Sequence, residues 1–357
     1  MDFARGEDRQ MLFDTLGRFL SERCPPERRM AVAYEPPYHD PAIWAEMSEL
    51  GILSALAPED RGGFGGSGHD IATVFEALGA GLSPEPVLPA LLALRVFLAT
   101  DRDVTAALHG QEKLALAWNE GEGGLDLSSL ATRAEGAGGA WQLTGRKSVV
   151  YGGQVADRFV VAARHSGGLG LFELASDAAR VEPFGMVDGG GAAELFLDDS
   201  PAQALILEGE PVLRDALAWG CVALCAEAVG VMDRTMALLT DYLQTRTQFG
   251  RPIGGFQALQ HRFVDLAIEV EQARSITILG ADALSGGGSD RPVSMAKHLV
   301  GRVARQIAEE AVQMHGGIAM TWAAEISHCA KRLVMIDHQL GDTDDHLERL
   351  MAEPADA

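Results

Sequence analysis

The chain has 357 residues, long for one compact domain and usual for two or three sharing an interface. With 47% apolar and 22% charged residues it is expected to pack, not to remain disordered. A formal net charge of -22 argues against nucleic acid or an anionic membrane surface as a partner. The first residues, up to Asp8, are polar and acidic and do not read as a signal peptide. No uninterrupted apolar run reaches the length of a membrane span, so the cytoplasm is the expected compartment. Cys24, Cys221, Cys225 and Cys329 show no C-x-x-C spacing, so they read as small buried apolar residues and no metal site is expected.

In chain order, residues 1–112 read as a helical domain. Met11, Leu12, Leu16, Phe19 and Leu20 recur at helical spacing. Asp40 is a candidate N-cap with Pro41 in the first helical position, and that helix ends near Gly51. Pro58 to Gly68 reads as a loop, His69 to Leu82 as a helix, and Pro84, Pro86 and Pro89 as punctuation. Residues 113–208 change character. Leu114 to Trp118 is a short apolar run, and Trp141–Tyr151, Arg158–Ala163, Leu169–Leu174 and Ala193–Leu197 are strand-like. Short strands with glycine turns predict a β-barrel or sandwich of roughly 90 residues. Residues 209–357 return to helix. Leu217 to Gln244 is nearly continuous, and Phe256, Leu259, Phe263, Leu266, Val270 and Ala273 form a one-sided stripe suited to a bundle. A turn at Ser285 to Asp290, a helix from Pro292 to about Met314 and a last one from Thr343 to Met351 complete the pattern. The expected fold is mainly α with a central β domain: N-terminal helices, a β-barrel and a C-terminal four-helix bundle.

Gly63 to Gly68 matches G-x-G-x-x-G literally, but polar residues precede it and no βαβ alternation follows, so it reads as a loop needing positive φ. No G-x-S-x-G, H-E-x-x-H or P-loop occurs, and His261 and His315 read as structural. Arg246 and Arg251 flank a glycine turn, with Gln257, Gln260 and His261 opening the next helix. That pattern suits phosphate, through bidentate guanidinium and helix N-terminal N–H groups, and equally a surface ion-pair cluster. In Gln313-Met-His-Gly-Gly317 the paired glycines allow close approach of a ligand or simply a helix C-cap.

Together these two segments resemble the acyl-CoA dehydrogenase family. Its R-x-x-F-G-x-x-I-x-x-F-Q signature corresponds to Arg246 through Gln257, and its Q-x-x-G-G segment to Gln313 through Gly317. Glu49 to Gly51, Pro58 to Gly63, Glu76 to Gly79, Gly145 to Lys147 and Ala156-Asp157 extend the likeness over nearly the whole chain. The small-subunit type, as in pimeloyl-CoA dehydrogenase, is the nearest match, on Ala223 to Gly230, Phe256 to His261 and Met335 to Asp342. The resemblance implies FAD bound between the β domain and the bundle across a subunit interface, and a tetramer. Arg246 would hold the pyrophosphate, with Gln248 beside it, while Phe249, Gln257 and Leu259 line the adenosine side. Gln313, Gly316 and Gly317 would meet the pyrophosphate of the neighbouring subunit's flavin.

The pattern also departs from the family. The flavin-facing loop reads Asn119-Glu120-Gly121 and Gly123 to Asp126, of which Glu120 matches. The family's Trp and Thr on the next strand correspond to Val149 and Tyr151. Where most members place the Glu base, alignment puts Asp342; the minority position falls near Gly220. Asp342 also suits a helix N-cap, with Asp345 three residues on. The implied activities are three. The chain could be an acyl-CoA dehydrogenase subunit in which Asp342 takes the α-proton, flavin the β-hydride and an electron-transfer flavoprotein the electrons. It could be a catalytically silent subunit completing FAD sites for a larger paralogue, or a flavin oxidase or monooxygenase on the same fold.

Overall fold

A computed structural model of the chain describes residues 5–121, 125–137, 139–285 and 290–352. Gly123, Gly124, the turn residues 286–289 and the tail 353–357 lie outside the described residues. Helices come first: α1 (Glu7–Arg23), α2 (Pro26–Ala33), α3 (Pro41–Glu49), α4 (Gly68–Ala80), α5 (Val87–Leu98) and the single turn α6 (Thr105–Leu108). Strands follow: β1 (Leu114–Ala117), β2 (Arg133–Ala137), β3 (Ala140–Tyr151), β4 (Arg158–His165), β5 (Gly168–Ala175), β6 (Arg180–Gly185) and β7 (Gly191–Ile206). Then come α7 (Glu210–Thr245), a hairpin of β8 (Thr247–Gln248) and β9 (Arg251–Pro252), α8 (Gln257–Ser285), α9 (Arg291–His315), α10 (Glu325–His338) and α11 (Thr343–Ala352). These residues gather into two compact units. One comprises Met1–Pro26, Gly68–Ser83 and Cys221–Ala357; the other comprises Glu27–Ser67 and Pro84–Gly220.

The second unit contains the strands. Asp40 caps α3 as expected, its Oδ1 accepting the Ala42 N–H at 2.9 Å and the Ile43 N–H at 3.4 Å. The prolines read as punctuation instead lead into α5. Pro89 sits in its first turn, where a missing N–H costs nothing. Apart from Arg95 the helix is apolar, and most of it is buried. The sheet closes on itself. β4 pairs with β1 in parallel and with β5 antiparallel, and the path β4–β2–β3–β7–β5 returns to β4. This is the barrel alternative of the expected barrel or sandwich. Its interior holds Trp141, Leu143, Phe159, Val161, Phe172, Leu195 and Leu197, the alternating residues of facing strands. The Gly63 segment is a loop: Gly62 and Gly66 have φ of 84° and 83°, and a Cβ on Gly63 would lie 2.0 Å from the Ala57 carbonyl oxygen.

The first unit is a helix bundle built on α7, whose residues from Cys221 onward belong to it. By length and composition α7 could cross a membrane, which corrects the expectation drawn from uninterrupted runs. That apolar stretch is 94% buried within the fold, the place of a core helix. Small residues let its neighbours approach to backbone contact. A Cβ on Gly79 of α4 would lie 2.0 Å from the Glu227 carbonyl oxygen, and one on Gly230 of α7 would lie 2.0 Å from the Glu76 carbonyl oxygen. Charges lock this crossing. Arg274 of α8 donates to Glu76 at 2.6 Å and to both oxygens of Asp233 at 2.8 and 2.9 Å. Arg332 of α10 holds buried Glu227 in a bidentate pair at 2.6 and 2.8 Å.

The crossing leaves no room for a methyl group. Gly230→Ala is expected to lower unfolding stability by about 1 to 3 kcal/mol, the range for overpacking. Gly17→Ala on α1, where a Cβ meets nothing within 4 Å, should be neutral or stabilise by up to about 1 kcal/mol. Urea unfolding of both variants checks this; equal effects would refute the close crossing.

Candidate functional site

Three groups of side chains carry the expected chemistry. The first stands where α7 and α9 end. The chain leaves α7 at Thr245, makes the β8–β9 hairpin and enters α8 at Gln257. Gly250 turns the hairpin with φ of 78°, and Phe249 beside it has φ of 53° and is 90% exposed. The Ile253 N–H donates to the Arg246 carbonyl at 2.9 Å, so the hairpin folds back on the end of α7. Arg246 and Gln248 are exposed, and the Arg246 side chain makes no hydrogen bond or ion pair among the described residues. Arg251 instead lies over the Phe256 ring at 4.1 Å. Gln257 is exposed and Leu259 half-buried on the first turn of α8.

The segments that carry the two sequence motifs, far apart in the chain, are joined here just ahead of the first motif. Tyr242 of α7 donates its hydroxyl hydrogen to the His315 carbonyl at 3.0 Å, and the two rings stack with centroids 4.3 Å apart. Gln313 is exposed on the last turn of α9. Gly316 follows with φ of 70°, and a Cβ on Gly316 or Gly317 would meet nothing within 4 Å. Burial pushes the His315 imidazole below its ordinary value, against the Ala311 carbonyl that accepts from it. His315 is thus structural, as the sequence reading held, while His261 lies exposed at the start of α8. A guanidinium unpaired among the described residues and an open glycine backbone, linked through Tyr242 and His315, can receive a phosphate-bearing ligand. Tyr242 was missed from sequence; its one-turn offset from Arg246 was the available signal.

The second group lies on the barrel. Lys147 of β3 is fully buried and donates to Glu120 Oε1 at 2.5 Å and to the Trp118 carbonyl at 3.2 Å. Glu120 also accepts the Thr132 hydroxyl at 2.6 Å, the Thr132 N–H at 3.0 Å and the Ala131 N–H at 2.5 Å. Burial alone would raise the Glu120 carboxyl, but the Lys147 charge and these hydrogen bonds hold it below the usual range. Burial pushes the Lys147 ammonium down to about 8 against the pull of Glu120. Glu120 is therefore a committed structural carboxylate, not a free base. Next to Lys147 the β3–β7 register shifts, and Val149 takes φ of 50°, so this edge of the strand is bent out of the regular ladder.

The third group is the α10–α11 turn. Leu340 and Gly341 have φ of 58° and 91°. Fully buried Lys297 of α9 donates to the Asp337 carbonyl at 2.7 Å and the Gly341 carbonyl at 2.6 Å. Asp337 accepts the Thr343 hydroxyl at 2.7 Å, in space that a Cβ on Gly301 would fill. Asp342 then caps α11. Its Oδ1 accepts the N–H groups of Asp344 and Asp345, each at 2.9 Å, and its own N–H donates to Asp345 Oδ2 at 3.0 Å. The Asp345 N–H, more than burial opposes it, holds the Asp342 carboxyl below its ordinary value, helped by Asp344 and the His338 and Lys297 charges. Lys297 and His315 lie at opposite ends of α9, so the Asp342 turn and the Gly316 end are separated by about 27 Å along that helix. The structure brings the Arg246 and Gln313 segments together and keeps Asp342 away from both.

Comparison with known proteins follows the same outline. Residues 6–94 match the family described as acyl-CoA dehydrogenase, N-terminal domain, and residues 208–351 match acyl-CoA dehydrogenase, C-terminal domain. Acyl-CoA dehydrogenase IpdE2 of Mycolicibacterium smegmatis is 29% identical over 97% of this chain and 99% of its own length. Among solved structures, the ChsE4-ChsE5 complex from Mycobacterium tuberculosis aligns with a TM-score of 0.92 at 25% identity, over 99% of this chain and 100% of the matched one. A variant of the Tcur3481-Tcur3483 steroid ACAD aligns at 0.90 with 27% identity, over 97% of both chains.

The turn makes a pH prediction. His346 is 1% exposed, with Nε2 donating to the Leu340 carbonyl at 3.1 Å. Burial, then the Lys297 charge, pushes its imidazole down to about 4 from 6.5. Between those values the unfolded chain binds more protons, so stability is lost as pH falls through the window, by about 3 kcal/mol near pH 4. Urea unfolding from pH 7 to pH 4 should show a flatter decline for His346→Gln than for the unaltered chain. Parallel declines would rule out a buried neutral His346.

Proposed function

The chain belongs to the acyl-CoA dehydrogenase family of oxidoreductases, and we propose that it serves as one subunit of a heteromeric, FAD-dependent acyl-CoA dehydrogenase. In this reading it lends its Arg246–Gly317 clamp to a flavin whose substrate-facing carboxylate stands on a larger paralogous subunit. The observation that carries the proposal is the state of Asp342. One of its oxygens is bound by two backbone N–H groups. The turn that carries it lies about 27 Å along α9 from the clamp. Proton abstraction needs reacting atoms within roughly 3.5 Å, so the clamp and Asp342 of one chain address different places. The two aligned structures, ChsE4-ChsE5 and Tcur3481-Tcur3483, each pair two named proteins, which supports pairing with a paralogue.

The residues present fit FAD. Arg246 offers a guanidinium unpaired among the described residues to the pyrophosphate charge, and Gly316 and Gly317 let a ligand approach their backbone. Gln248, Gln257 and Gln313 offer amides, and Phe249, at 90% exposure, offers an uncovered ring with Leu259 nearby on α8. When bound, FAD supplies the acceptor for the hydride leaving the substrate's β-carbon. The chain's own residues bind, orient and exclude water. Arg246 neutralises phosphate charge, and the Glu120–Lys147 pair fixes the strand that carries Val149 and Tyr151. The acyl-CoA α-proton goes to the partner's carboxylate. An electron-transfer flavoprotein would take the electrons onward, and two such pairs would form a cytoplasmic tetramer.

One observation favours a second reading, in which Asp342 itself is the base: its Oδ2 takes no hydrogen bond among the described residues. Expression alone and with a larger paralogue, followed by FAD-per-chain absorbance and anaerobic bleaching with an acyl-CoA panel, separates the two. We expect flavin in the co-purified assembly and not in the lone chain. Arg246→Ala should lose most of it, while Asp342→Asn keeps both flavin and bleaching, since Asn caps a helix almost as well. Loss of bleaching in Asp342→Asn with flavin retained would make Asp342 the base and displace the heteromer reading.

A further inference from the structure

The clamp is made of two chain segments, and one contact joins them. Tyr242 lies one helical turn before Arg246, whose N–H donates to the Tyr242 carbonyl at 2.8 Å. The Tyr242 hydroxyl reaches the His315 carbonyl at 3.0 Å, immediately before Gly316 and Gly317. That carbonyl closes α9, where the chain passes into the short 3-10 turn Gly316–Met320. The rings are near-parallel, 19° between planes and 4.3 Å between centroids. The imidazole is 9% exposed and is itself pinned by Nδ1 to the Ala311 carbonyl at 3.0 Å. Two planar side chains, each anchored to its own helix, therefore fix the distance between the hairpin and the glycine pair.

Other contacts besides the stack hold the helices together. Leu238 of α7 packs on an apolar cluster of Ala311, Ala319 and Ile326 with Val312 and Ala324. Arg234 of α7 pairs with Glu325 of α10 at 2.7 Å. These contacts secure α7 below its end. What the stack adds is order in the last turns, which otherwise fray.

We propose that Tyr242 and His315 are positioning residues of the flavin site. They hold Arg246 and Gly316–Gly317 at a preset spacing, so that the ordering cost of the two loops falls on folding and not on cofactor binding. This rests on the reading of the clamp as an FAD pyrophosphate site.

The test uses the flavin-binding assembly, stripped of FAD and titrated with FAD by fluorescence quenching, alongside thermal melting of the apo form. Tyr242→Leu removes both hydrogen bond and stack. It should weaken FAD binding about tenfold or more, with apo melting and subunit composition unchanged. Tyr242→Phe keeps the stack and should stay within about fivefold of the unaltered protein. Unchanged affinity in Tyr242→Leu overturns the proposal. So does a loss that follows a lowered apo melting temperature and is not rescued by Phe. Arg246→Ala separates the two claims. If it too binds FAD normally, the clamp is not a flavin site and both fall. If it alone loses FAD, the site stands and the positioning role falls.

Discussion

The bundle depends on one close approach. α4 and α7 cross with backbone against backbone because Gly79 and Gly230 present hydrogen where any other residue would present carbon. Overlap of a Cβ with a carbonyl oxygen at 2.0 Å cannot be relieved by a rotamer change. With the backbones this near, Glu76 and Asp233 come within reach of one arginine, Arg274, and Glu227 within reach of Arg332. The crossing thus places α7, and the direction of α7 decides where its last turn, with Tyr242 and Arg246, emerges.

Two buried lysines then fix two turns. Lys147 and Lys297 are both fully buried, and both donate hydrogen bonds to backbone carbonyls beside a kinked stretch. A buried ammonium is costly unless its donors are matched. Lys147 is matched by a carboxylate and a carbonyl, Lys297 by two carbonyls. Each therefore constrains its loop more tightly than a surface ion pair would. Around Lys297 the turn is further bound by Asp337, His346 and the Asp342 cap. This is a rigid corner whose carboxylate is already in use.

The division of labour follows from that rigidity. A base must present a free carboxylate to a carbon acid, and a cap must give its oxygens to N–H groups. Asp342 has spent one oxygen on the second task. The clamp at the other end of α9 shows the reverse: an exposed guanidinium without a partner among the described residues, and glycines facing open space. One end of the bundle is finished internally, and the other is left ready for something outside the chain.

Much of this was legible in the residues. Alternating apolar strands, the Asp40-Pro41 helix start, the α8 stripe and the Arg246 and Gln313 motifs all carry local signals of period, cap or charge. The elements that were missed lack such signals. α5 hides behind prolines that are harmless only in a first turn, and α10 carries charges whose partners, Arg234 and Glu227, stand on another helix. β6 is mostly exposed along its length and so shows no clean alternation. The sequence by itself determined the order of helical and β segments and the residue types able to meet a phosphate, because those properties are carried by neighbours in the chain. Only the tertiary structure decided that Arg246 and Gly316 share one end of the bundle, that Tyr242 and His315 join them, and that Asp342 is occupied as a cap. Those facts depend on which helices cross, and the crossing is set by contacts between residues more than a hundred positions apart, such as Glu227 and Arg332 at a separation of 105.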